Sequence, residues 1–164
     1  MKLRPTTVND LTSVMSIINQ AKEYFKNANI DQWQDGYPNE TSIINDIKKN
    51  EAYVIEDNNK IIATAMISIA NEPTYNYIEG KWLQNNQYIV IHRIAVNNNY
   101  KGKGLAKYIL DEAIKLHPQI NSIRIDTHEN NISMQRFLTK YGFTYCGNIF
   151  LANQSLRRAY EKII

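Results

Sequence analysis

The strongest chemical signal in the chain is Val96-Asn97-Asn98-Asn99-Tyr100-Lys101-Gly102-Lys103-Gly104-Leu105-Ala106. An apolar run, Tyr88–Val96, leads into it. A broad apolar helical stripe of Leu105, Ile109, Ala113 and Leu116 leads out. Two closely spaced glycines let main-chain N–H groups turn toward a ligand, and the start of a helix adds the positive end of its dipole. Together they suit a phosphate or pyrophosphate, with Lys101 and Lys103 adding charge. The stretch lacks the Gly-Lys-Ser/Thr ending of a P-loop. The third glycine position of a dinucleotide fingerprint is occupied by Lys107. Two glycines alone also fit a plain strand-to-helix turn with surface lysines.

Other side chains carry chemistry singly. His92 alternates with Val90 and Ile94 in the apolar run, so its imidazole is expected on the Ile94 face. An imidazole there is either a proton acceptor or a core histidine held by a carbonyl. His128 stands just before Asn130-Asn131, as a ligand contact or a loop cap. Trp33, Tyr37, Tyr75, Tyr77 and Trp82 fall in two loops, Asn27–Asn39 and Asn71–Asn86, rather than on a periodic face. They are expected to wall a pocket for a partly apolar acceptor, with Glu72 and Glu79 as carboxylates for an ammonium. Cys146 is the one cysteine, which excludes an internal disulfide and a multi-cysteine zinc site, and it reads as a small buried hydrophobe. No His/Glu spacing suggests a metal.

These residues need a scaffold, and the chain is long enough for one. Its 164 residues are expected to form a single domain spanning 1–164. A chain of that size buries roughly 68–70% of its unfolded surface. Hydrophobic residues make up 43% and charged residues 21%, which argues against disorder, collagen and coiled coil. No apolar run approaches the ~20 residues of a membrane span. Met1-Lys2-Leu3-Arg4-Pro5 carries no apolar leader core, so a cytoplasmic protein without membrane partners is expected. The 21 asparagines and 24 isoleucines fit AT-rich coding and need no functional account. Net charge is +3, unevenly spread: residues 1–99 hold 9 basic and 11 acidic side chains, and 100–164 hold 10 and 5. The basic C-terminal part suits an anionic ligand. The aromatics cluster in the acidic part, which argues against a nucleic-acid partner.

Periodicity predicts strands at Leu3–Thr6, Ala52–Glu56, Ile61–Ile69, Tyr88–Val96, Ser122–Thr127, Phe143–Gly147 and Leu156–Lys162. It predicts helices over Leu11–Phe25 (capped by Asn9 or Asp10), around Ile43–Ile47, over Gly104–Leu116 and over Asn131–Tyr141, the last closed by Gly142. In Ser122–Thr127, Ile123 and Ile125 face one way and Arg124 and Asp126 the other. This order is neither strict βαβ alternation nor all antiparallel. An α/β fold is expected, with a central mixed, mostly antiparallel sheet and helices on both faces.

Nearly the whole chain resembles the GNAT superfamily of acyl-CoA-dependent N-acetyltransferases. Their Arg/Gln-x-x-Gly-x-Gly/Ala motif is matched by Lys101-Gly102-Lys103-Gly104-Leu105-Ala106, except that a lysine, Lys101, replaces Arg/Gln. Ile91-His92-Arg93-Ile94-Ala95-Val96 is similar to the strand that precedes it. Asn130-Asn131 leading into Lys140-Tyr141-Gly142-Phe143 is similar to the family's later helix. Leu3-Arg4-Pro5-Thr6 through Asn9-Asp10-Leu11 resembles its opening strand and helix. The resemblance implies acetyl-CoA as cosubstrate, with no metal. The pyrophosphate would lie on Lys101, Gly102, Lys103, Gly104, Leu105 and Ala106. The pantetheine arm would lie along the main chain of Ile94, Ala95 and Val96, with Asn131 on the same arm. It implies attack of a neutral primary amine on the thioester, a base or water to take the ammonium proton, and N–H donors for the oxyanion. His92 is the candidate base. Alignment on Gly142-Phe143 places Leu138 where many relatives carry a tyrosine acid, so no dedicated acid is expected. The acceptor is a small amine, an amino acid or a protein amine, and the assembly a monomer or homodimer. A non-catalytic acyl-CoA-binding module is the alternative.

Overall fold

The computed structural model describes residues 1–164. Its strands are β1 (Lys2–Pro5), β2 (Ala52–Asp57), β3 (Lys60–Ser68), β4 (Glu79–Gly80), β5 (Ile89–Val96), β6 (Ser122–Thr127), β7 (Thr144–Phe150) and β8 (Leu156–Ile163). Its helices are α1 (Leu11–Asn27), α2 (Glu40–Lys48), α3 (Leu105–Leu116) and α4 (Ile132–Lys140). The strands form one mixed sheet in the order β1-β2-β3-β5-β6-β8-β7-β4. The β1/β2, β2/β3, β4/β7, β6/β8 and β7/β8 pairs are antiparallel, and β5/β6 is parallel. The expected fold class therefore holds. β3 is buried at every position from Ile62 to Ser68, as a strand covered on both faces must be. Contacts divide the chain into two compact units, Met1–Ile67 with His92–Lys115, and Ser68–Ile91 with Leu116–Ile164.

In the first unit the apolar spacing of α1 puts Val14, Ile17 and Ile18 against Ile43 of α2, Val54 of β2 and Ala95 of β5. Each such fully buried aliphatic contributes about 1.5–3 kcal/mol. The Asn39 side chain accepts the Ser42 N–H at 3.0 Å and starts α2. Asn58 and Asn59, at φ +48° and +60°, make the tight turn between β2 and β3. Asp10 sits at the start of α1, but its carboxylate does not cap that helix. It accepts the Thr7 N–H at 2.8 Å and two N–H groups of Arg4 at 2.7 and 2.9 Å. The Arg4 guanidinium, first among several donors, holds this carboxyl below the ordinary range, at about 2. A carboxyl depressed in the folded state stabilises the fold above its unfolded pKa of about 3.9. That contribution is lost as pH falls toward 2. Asp10→Asn should therefore destabilise the protein near neutral pH, by about 1–2 kcal/mol. The gap between variant and wild type should close between pH ~4 and ~2. Urea unfolding at a series of pH values checks this. A gap independent of pH would rule out the ion pair as its source.

The second unit is built on Tyr75, Trp82, Tyr88, Val90, Cys146, Ile149 and Ala159. Arg124, expected on the face of its strand opposite Ile123 and Ile125, is only 5% exposed. Its guanidinium lies 4.1 Å from the ring centroids of both Trp82 and Tyr88. Its Nε donates to Glu161 Oε1 at 3.0 Å, and Glu161 is fully buried. Ser122 Oγ, the Gln84 amide and the Leu83 N–H also donate to that carboxylate, so the buried charge is satisfied. The Tyr75 hydroxyl donates to Asp126 Oδ2 at 2.7 Å, and burial first, then Asp126, raises it well above an ordinary phenol. β4, too short for a periodicity signal, pairs with β7 through Gly80↔Gly147. A Cβ on Gly80 would lie 2.1 Å from the Cys146 carbonyl oxygen, and one on Gly147 would lie 2.2 Å from that of Glu79. Only glycine fits at either position. Gly142, at φ +84°, ends α4, and the Phe143 N–H returns to the Leu138 carbonyl at 3.0 Å.

Candidate functional site

β5 delivers the chain to the glycine loop. After it, the Asn97 N–H donates to the Ile62 carbonyl at 2.9 Å, and the Asn97 side chain accepts the Asn99 N–H at 3.0 Å. Asn98 N–H donates to Gln20 Oε1 of α1 at 2.8 Å. The loop is thus tied to β3 and α1 before it reaches Lys101. Gly102 and Gly104 follow at φ +76° and +77°, the left-handed region that glycine enters without cost. A Cβ at either would meet nothing within 4 Å, so both glycines face open space. The Gly104 carbonyl accepts the Tyr108 N–H at 3.0 Å, the first bond of α3. The N–H groups of Leu105, Ala106 and Lys107 therefore have no carbonyl one turn earlier within the helix. The Lys101 ammonium lies 4.6 Å from the Tyr24 ring centroid, and that of Lys103 lies 4.8 Å from Tyr100. Paired left-handed glycines, open space, a helix start and two ammonium groups fit a pyrophosphate. An open cleft of about 960 Å³ runs beside the loop along α1, lined by Gln20, Glu23, Tyr24, Asn98 and Lys101 among others, and holds no β5 residue.

β5 is not a regular strand. Arg93 has φ +54°. Period-two alternation needs extended backbone at every residue, so it does not carry through Arg93. The expectation that His92 shares a strand face with Ile94 is corrected accordingly. His92, Arg93, Ile94 and Val96 are half-buried, and Ala95 is buried. Arg93 makes a bidentate pair with Asp46 of α2, through Nε to Oδ2 at 2.8 Å and Nη2 to Oδ1 at 2.6 Å. Its Nη1 donates to the Tyr37 hydroxyl. Burial raises the Asp46 carboxyl above its ordinary value, while Arg93 and, more weakly, His92 act in the opposite direction. The fork-to-carboxylate geometry gives two parallel charge-assisted hydrogen bonds. This Arg93–Asp46–Tyr37 cluster was missed in the sequence. Its only signal there is an arginine inside an otherwise apolar run.

The other candidates have local structural partners. Asn131, in the second unit, is 4% exposed, and its Oδ1 caps α4 by accepting the Met134 N–H at 3.2 Å. His128 Nδ1 accepts the Asn130 N–H at 3.0 Å, the loop-capping alternative. Glu72 caps a short turn through Thr74, and Glu79 lies exposed on β4. The aromatic wall is corrected: Tyr75 and Trp82 are core, Trp33 packs edge-on to Phe25, and Tyr77 is exposed beside Phe150. Of the five, Tyr37 accepts a hydrogen bond from Arg93 of β5. Leu138 is fully buried, and the Tyr141 ring packs on Phe137 with centroids 4.8 Å apart. Cys146 is buried, and its thiol donates weakly to the Thr144 carbonyl. No group of three His, Cys, Asp or Glu side chains is placed to hold a metal, and no helix is long and apolar enough to cross a membrane.

Comparison with known proteins follows the same residues. The model of the acetyltransferase (GNAT) family matches residues 15–143. A GNAT-family acetyltransferase from Streptococcus agalactiae superposes with a TM-score of 0.91 at 37% identity, over 99% of this chain and 95% of that one. The uncharacterized N-acetyltransferase YesJ of Bacillus subtilis is 22% identical over 147 residues, 87% of this chain and 81% of that protein. The PaiA N-acetyltransferase of Thermoplasma acidophilum, solved in complex with coenzyme A, shares the fold with a TM-score of 0.74 at 16% identity, over 99% and 98% of the two chains.

Proposed function

The chain belongs to the GNAT acetyltransferase family, and from that premise we propose that it moves acetyl from acetyl-CoA to a primary amine by direct attack in a ternary complex. Acyl transfer from acyl-CoA is the family's chemistry. The observation that supports its operation here is the pair of left-handed glycines facing open space at the head of α3. We assign the whole of residues 1–164 to one acyltransferase domain and place it in the cytoplasm, as a monomer or homodimer.

The residues divide the work as follows. Lys101, Gly102, Lys103, Gly104, Leu105 and Ala106 hold the pyrophosphate through main-chain N–H groups and two ammonium charges. The main chain of Ile94, Ala95 and Val96 lies along the pantetheine arm and supplies the N–H donor for developing negative charge on the acyl oxygen. Acetyl-CoA itself supplies a thioester already activated toward amines. His92 takes the proton that the acceptor ammonium must shed, directly or through one water. Leu138 and the packed Tyr141 leave protonation of the departing thiolate to solvent, since a thiolate leaves without help.

Acetyl-CoA incubated with a panel of small amines, amino acids and peptides, with free thiol read over time, tests the reading. Amine-dependent thiol release is the expected outcome. CoA binding with no release for any amine would instead select the non-catalytic acyl-CoA-binding module, which the buried Leu138 at the usual acid position favours.

A further inference from the structure

A left-handed residue inside a strand is costly for any side chain with a Cβ. It persists only where the surroundings over-determine it. At Arg93 the surroundings do so through the side chain. The bidentate pair with Asp46 fixes the guanidinium in position and angle, and the Tyr37 hydroxyl accepts from its remaining nitrogen. The guanidinium carbon stands 5.7 Å from the Tyr37 ring centroid. The side chains of Arg93 and Asp46 are 12% and 9% exposed, so solvent competes little. Asp46 belongs to α2, and that helix is seated on the core through Ile43, one turn earlier. The anchor is therefore rigid. A second tether, Lys22 Nζ donating to the Pro38 carbonyl at 2.5 Å, holds the chain beside Tyr37 to α1.

We propose that Arg93 is a positioning residue for acyl transfer: clamped between Asp46 and Tyr37, it holds the turn in β5 that aims the main chain of Ile94, Ala95 and Val96 at the acyl-CoA arm. The proposal rests on the acyl-CoA reading of β5. Its physical content is a backbone rotation. With Arg93 extended, the following peptide groups would turn over, and N–H and C=O groups would exchange sides. The clamp also seats the loop bearing Tyr37 on the reacting strand, so the two move as one.

Glycine separates this role from that of an ordinary ion pair. It adopts φ near +54° without strain, whereas alanine does not. Arg93→Ala, Arg93→Gly and Asp46→Asn are compared with wild type by CoA calorimetry and by the backbone amide resonances of Ile94, Ala95 and Val96 without ligand. Arg93→Ala is expected to lose roughly tenfold or more in CoA affinity and to move all three resonances. Arg93→Gly should recover affinity to within about threefold of wild type. Asp46→Asn, with Arg93 kept but unclamped, should move the same three resonances. An ion pair of purely structural value would lower the melting temperature of both Arg93 variants alike and leave CoA affinity alone. The proposal is overturned if alanine and glycine behave alike in CoA binding, or if Asp46→Asn leaves the three amides in place. Should Arg93→Ala not fold, the Asp46→Asn resonances decide alone. Should wild type fail to bind CoA, the acyl-CoA reading falls, and the resonance measurements still report on the clamp.

Discussion

Gly104→Val is expected to remove measurable CoA binding while leaving the fold in place. Gly104 sits at φ +77° with nothing within 4 Å of where a side chain would start. A Cβ there meets no protein atom within 4 Å, and the position lies outside the core. Two effects fall on the ligand instead. The side chain occupies the open space that the assigned pyrophosphate needs. The left-handed backbone, which costs a residue with a Cβ about 1–2 kcal/mol, relaxes and turns the loop amides away. Losing two hydrogen bonds to a charged group at about 1.5–3 kcal/mol each weakens binding by roughly a hundredfold or more. Calorimetry with CoA reads the loss, and far-UV circular dichroism with thermal melting confirms the fold. Near wild-type affinity in a folded variant would put the cosubstrate elsewhere and remove the basis of the proposed reaction.

The second large effect is expected at His92. An amine is nucleophilic only once its proton has gone, and a positioned base is worth ~10²–10⁴-fold. His92 is half-buried and adjoins the turn at Arg93. Because the turn keeps His92 from simply sharing the Ile94 face, the proposed base role rests on its place next to the kink in β5. His92→Gln keeps a hydrogen-bonding side chain of similar reach but cannot accept the proton. It should lower kcat/KM toward a responsive amine by ~10²–10⁴-fold. CoA affinity should stay within a few-fold, and the acidic limb of the pH–rate profile should flatten or move. A histidine that merely holds the strand predicts the opposite split, with a lower melting temperature but unchanged kcat/KM and acidic limb. That outcome would leave solvent as the proton acceptor, since Glu72 is engaged as a cap and Glu79 lies exposed on β4.

How far these expectations were legible in the sequence depends on whether the signal was local. Strand and helix positions follow from side-chain periodicity along a few residues. Seven strands and four helices are accordingly predicted to within a few residues of their observed bounds. β4, at two residues, carries no period and is missed. The cradle is equally local. Gly102 and Gly104 directly before an amphipathic helix specify left-handed backbone and a helix N-terminus from adjacent positions.

Aromatics in loops look alike whether they line a pocket or fill a core. Trp82 is core because Arg124, far away in sequence, brings a buried charge that Glu161 neutralises and that the Trp82 and Tyr88 rings cover, and Tyr75 packs on both rings. The turn at Arg93 is likewise invisible in an apolar run. It exists because Asp46, forty-seven residues earlier, reaches the guanidinium from another element. The chain by itself determined what neighbouring residues decide: the periods, the caps and the left-handed glycine loop at the head of α3. Only the tertiary structure decided which charges are buried, which aromatics are spent on covering them, and how the strand ahead of the loop is bent. Those outcomes depend on desolvation and pairing between residues that meet only when the chain is folded.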